Sequence, residues 1–98
     1  MNLTTSLDAR VRKAVLEKID ETLSNVDEIS QIVQSLDLIP VESRSDFVFG
    51  IAVGRVYNSF HYQTRRALKR NATEEEFAEY LRILAKSAGA IRESLKKQ

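Results

Sequence analysis

His61 is the only histidine in a chain of 98 residues that has no cysteine. Those two facts remove much of the chemistry open to a small protein. Thiolate nucleophiles, thiolate metal sites and disulfides are excluded, as are metal motifs built on paired histidines. Glu76 and Glu79 stand at helical spacing, but no Glu-x-x-His follows to complete a di-metal carboxylate site. Gly50-Ile-Ala-Val-Gly54 has glycines without the Lys-Ser/Thr of a phosphate-binding loop. Neither a metal nor a cofactor is expected. One chemically capable pair survives, Arg55 and His61. On a straight helix these lie about 120° apart and roughly 9 Å along the axis. They meet only through a kink or a second subunit.

The segment Arg55-Val-Tyr-Asn-Ser-Phe-His61-Tyr62 resembles the Arg-x(4–6)-His motif of HEPN-type helical ribonucleases. The likeness covers these residues alone. It implies that Arg55 and His61 act on an RNA backbone from a composite site at a dimer interface. This chain has Val56 where that family usually carries a polar residue after the arginine. On the residues alone, His61 reads as packed beside Tyr57, hydrogen-bonded and inert.

Phosphate recognition is the second chemistry to weigh. Arg65, Arg66, Lys69 and Arg70 close the middle of the chain and, in an antiparallel bundle, approach Arg10, Arg12 and Lys13. Seven cations at one end, with Tyr62 as a stacking surface, would suit RNA or DNA. Asp8, Glu74, Glu75, Glu76 and Glu79 fall at the same end and neutralise much of that field. The formal net charge is only +1, so no global attraction to nucleic acid or membrane is expected. Charge is nevertheless segregated: Phe47 to Ala72 holds five bases and no acid. Acids at helix starts and bases at helix ends complement the helix dipole, which accounts for most of this pattern structurally.

The elements that position these residues follow from periodicity. Val15, Ile19, Thr22, Val26, Ile29, Val33 and Leu36 keep one helical phase, which predicts a first helix over about 6–36, capped by Thr5 or Ser6 and bent near Asn25. Leu38-Ile39-Pro40 ends it. A second helix over about 46–70 starts from Ser43 or Ser45 and stops at Asn71 in a left-handed conformation. Its core stripe is Phe49, Val53, Val56, Phe60 and Ala67, with Gly50, Gly54, Tyr57, His61 and Leu68 beside it. Thr73-Glu74-Glu75-Glu76 is a capping box. The third helix, about 74–96, presents Phe77, Leu81, Leu84, Ala88, Ile91 and Leu95. The expectation is a single all-α domain over residues 1–98, an antiparallel up-down-up bundle of three long helices.

Gly50 and Gly54 form a small-xxx-small pair, and each glycine costs about 1 kcal/mol relative to alanine inside a helix. Val48 and Ile51 make the start of this helix apolar all round, more than two neighbouring helices can cover. A second copy would cover it, giving a homodimer of six helices with Val48, Gly50, Ile51, Gly54 and Tyr57 at the interface. No apolar run reaches the ~20 residues of a membrane span, and no secretory signal is apparent. The expected function is therefore a cytoplasmic protein–protein interaction or oligomerisation module without catalysis of its own. Nucleic-acid binding is the alternative, and Arg55/His61 ribonuclease chemistry comes last.

Overall fold

The structure is a computed structural model and describes residues 7–36 and 40–96. Four helices pack together: α1 (Ala9–Ser24), α2 (Val26–Ser35), α3 (Arg44–Leu68) and α4 (Glu74–Lys96). Among the described residues there is no strand, as the unbroken helical periodicity requires.

The single first helix expected over 6–36 is instead two, meeting at Asn25. Three neighbouring side chains divert the backbone ladder there. Thr22 Oγ1 donates to Lys18 O, Ser24 Oγ to Asp20 O, and Asn25 Nδ2 to Glu21 O. Such back-bonding competes with i→i−4 amide bonds and bends helices. The Asn25 amide turns to Thr22 O, and Asn25 O accepts from the amides of Glu28 and Ile29, which starts α2. The core stripe keeps its phase across the break, from Val11, Val15, Ile19 and Thr22 to Val26, Ile29 and Val33. The caps expected at Thr5 or Ser6 and the stop at Leu38-Ile39 lie outside the described residues. Asp8 caps α1, accepting from the Arg10 amide at 2.8 Å.

Ser43 caps α3 as its sequence suggests, accepting from the Asp46 amide at 3.2 Å. The left-handed residue that ends α3 is Lys69 (φ 60°), not Asn71. The capping box forms in full: the Glu76 amide donates to Thr73 Oγ1 at 3.1 Å, and the Thr73 amide to Glu76 Oε1 at 2.7 Å.

Contacts between helices give their directions. Glu21 meets Arg55, Asp46 meets Arg92, and Arg12 meets Glu79. With Phe60 stacked on Tyr80, they set α3 antiparallel to α1 and α4, and α1 parallel to α4. The core has two parts. One joins Leu7, Val11, Val15 and Ile19 to Val56, Phe60, Tyr80 and Ile83. The other joins Val26, Ile29 and Val33 to Val48, Ala52, Ile91 and Leu95. Leu23 packs against both, so the break at Asn25 falls where the core changes partners.

Val56 and Phe60 on α3 and Ile91 and Leu95 on α4 are buried as their spacing suggests, but the rest of each buried face is shifted from the expected stripe. On α3, Val48, Ala52, Val56, Ser59, Phe60 and Thr64 are buried, while Gly50, Gly54 and Tyr57 face outward. On α4, Tyr80, Ile83, Ile91 and Leu95 are buried, while Phe77 and Leu81 are 37% and 44% exposed. Burying a valine removes far more apolar surface from water than burying a glycine, and α2 and the end of α4 converge on Val48.

Candidate functional site

Arg55 and His61 sit on opposite edges of α3. Arg55 Nη2 donates to Glu21 Oε1 at 2.7 Å and faces α1. His61 lies on the other edge, its ring edge-on to Tyr57 at 4.7 Å. α3 runs uninterrupted between them, so no kink brings them together within one chain. His61 therefore occupies an aromatic neighbourhood that also contains Phe60.

The seven cations expected at one end are only partly available. Arg10 forms a two-pronged pair with Asp8 at 3.0 Å, and its hydrogen bonds hold the Asp8 carboxyl at about 2, well below its usual range. Arg12 pairs with Glu79 across to α4. Arg70 clasps both oxygens of Glu76 at 2.8 and 3.0 Å. That bidentate hydrogen bond, helped by the Thr73 amide, holds the buried Glu76 at about 2. Among the described residues no ion pair engages Lys13, Arg65, Arg66 or Lys69, and all four are exposed.

Two surfaces remain, one on each edge of α3. Towards α1 lies an open groove of about 370 Å³ lined by Lys18, Arg55, Asn58, Ser59, Tyr62 and Gln63. No carboxylate lines it among the described residues. Glu21 borders it, bonded to Lys18 at 3.0 Å and to Arg55, and both contacts lower its pKa, the Lys18 hydrogen bond most. Tyr62 is 54% exposed, Arg65 and Arg66 follow it by three and four residues on the next turn, and Lys69 follows at the left-handed C-cap. Lys18 was not legible as a site residue, since the α3 residues of the groove lie 37 to 45 positions further along the sequence, yet the i, i+3, i+4 spacing around Tyr62 could have marked that stripe.

Towards α4 the middle of the surface is apolar, and the exposed Asp46–Arg92 ion pair bounds it at the start of α3, with the Arg92 guanidinium 4.5 Å from the Phe49 ring centroid. A Cβ built on Gly50 or Gly54 meets nothing within 4 Å, so these glycines are not contact points inside the chain. Tyr57 is 47% exposed and packs edge-on to Phe77 with ring centroids 6.4 Å apart. Leu81, one turn beyond Phe77, and Ala85 continue the exposed face along α4. Of the expected interface residues, Gly50, Gly54 and Tyr57 belong to this surface. Val48 is buried against α2 and α4, and Ile51 packs on the same cluster. Beneath the surface Tyr80 stacks on Phe60 at 4.5 Å, its hydroxyl buried and, among the described residues, without a hydrogen-bond partner. Burial pushes that phenol up to about 12.

Among the described residues no helix is long and apolar enough to cross a membrane, and no cluster of His, Asp and Glu could hold a metal ion. Comparison with protein families, with characterised proteins and with solved structures finds no match for this chain.

Proposed function

We propose that this protein works by association, as a homodimer whose contact is the apolar middle of the outer face of α3 and α4. The observation that supports this reading is the excess of apolar arc over what one chain covers. Gly50, Gly54, Tyr57, Phe77, Leu81 and Ala85 are all exposed, although the spacing of these apolar and small residues is that of a buried stripe. Contiguous apolar surface of this kind marks an interaction site. Helical glycines with open space above them let a partner backbone come close, which offsets their propensity cost. A two-fold axis through this face sets it against its own copy, the commonest arrangement of soluble oligomers.

Light scattering or sedimentation at micromolar concentration tests the reading. The wild-type chain should have the mass of two copies, and Tyr57→Glu or Leu81→Glu should give one copy with unchanged helicity. A monomeric wild type ends the proposal.

A further inference from the structure

We infer that the groove between α1 and α3 binds single-stranded nucleic acid, with a base on Tyr62 and phosphates on Arg65, Arg66 and Lys69. This surface is separate from the α3/α4 face, and nothing in it depends on association. Ion pairing elsewhere is what singles it out. Arg10, Arg12 and Arg70, the other arginines at this end of the bundle, are engaged by Asp8, Glu79 and Glu76. Arg65, Arg66 and Lys69 remain exposed and unpaired among the described residues. The expected seven-cation end does not exist as a field, but a cationic stripe along one helix does.

Three features match a nucleic-acid strand rather than a simple anion. The ring of Tyr62 is 54% exposed, and an exposed aromatic among cations is a stacking platform for an unpaired base. Asn58 and Gln63 line the groove beside it and supply amide partners for a base edge. Lys18 and Arg55 then continue the positive charge on the far side of Tyr62, both bonded to Glu21. From Arg55 to Arg66 the stripe runs eleven residues along α3, about 16 Å at 1.5 Å per residue, and Lys69 follows at the C-cap, so several nucleotides in a row are contacted. A duplex cannot present a base face to Tyr62, and an open strand can.

Fluorescence anisotropy with short labelled oligouridylate and oligothymidylate, titrated across salt, tests the inference. With three unpaired cations each neutralising a phosphate, log Kd against log salt should have a slope of magnitude about 2 for a single strand. The Arg65→Gln/Lys69→Gln double variant should lower that magnitude by about 1.4. Tyr62→Ala should weaken binding roughly five- to hundredfold, and Tyr62→Phe should retain it. An Arg82→Gln/Lys86→Gln variant removes equal charge from α4, away from the groove, and should leave the affinity within about twofold. Absence of binding at low salt overturns the inference. So does a loss as large in the α4 control as in the α3 pair with Tyr62→Ala neutral, because that describes diffuse polyanion attraction. Tighter binding of a duplex than of a single strand overturns it as well.

Discussion

Replacing Gly50 and Gly54 by alanine should strengthen the fold and weaken the assembly. Both glycines lie within α3, neither has positive φ, and a methyl at either position meets no atom within 4 Å. The isolated chain therefore gains only helix propensity, about 1 kcal/mol at each site and about 2 kcal/mol for the pair. In a domain of this size 1 kcal/mol moves the melting temperature by about 4–8 °C, so the double variant should melt roughly 10 °C higher. In a dimer closed over this face, the same methyls stand between two backbones. Overpacking of that kind costs about 1–3 kcal/mol, a roughly five- to hundredfold weaker dissociation constant. Urea unfolding at concentrations below dissociation reads the first effect, and sedimentation equilibrium reads the second. Destabilisation of the dilute chain would mean that the glycines are packed within the fold. Higher stability with an unchanged dissociation constant would mean that the dimer contact lies elsewhere.

Three further substitutions probe the fold itself. Tyr80→Phe keeps the stack on Phe60 and removes a buried hydroxyl without a partner among the described residues, so stability should rise by about 1 kcal/mol. A loss of that size in the urea midpoint would reveal a hydrogen bond at that oxygen. Phe60→Ala empties a fully buried site between α1 and α4 and should cost about 3–5 kcal/mol in equilibrium unfolding. A cost under about 1 kcal/mol would mean that the aromatic cluster does not organise this half of the core. Glu76→Gln loses the charge-assisted bonds from Arg70 and should cost about 1.5 kcal/mol at neutral pH, the lower end of the range because Arg70 is half exposed. Glu76 is held at about 2 in the fold against an ordinary 4.5. Its contribution is therefore complete above about pH 4.5 and disappears as pH falls through 2. Urea midpoints of wild type and variant should converge over that window; a difference undiminished at pH 2 refutes the assignment.

Local features were legible because they need only neighbours in sequence. The Thr73–Glu76 box, the Ser43 cap and the span of α4 follow from residues three or four apart, and the structure has each of them. The break at Asn25 was half legible. Thr22, Ser24 and Asn25 carry the groups that divert the ladder, but the unbroken phase of the apolar stripe argues for one helix. Tertiary packing reconciles the two, since α1 and α2 keep one phase while each serves its own half of the core. The rotation of α3 was legible only in part: Val56 and Phe60 are buried as their stripe predicts, but Phe49 and Val53 are only half-buried. A helix apolar on every side, as α3 is from Phe47 to Val53, has no preferred inner face until α2 and α4 supply one. That choice turned Val48 inward and left Gly50, Gly54 and Tyr57 on the surface. Cation availability was decided in the same way. Composition states how many arginines there are, but the pairing of Arg12 with Glu79 joins residues 67 positions apart, and only the packing of α1 on α4 brings them together. The sequence by itself determined an all-helical chain with cationic residues and glycines on its central helix. The tertiary structure decided which of those residues face solvent, because burial and ion pairing are properties of the packed helices and not of any one of them.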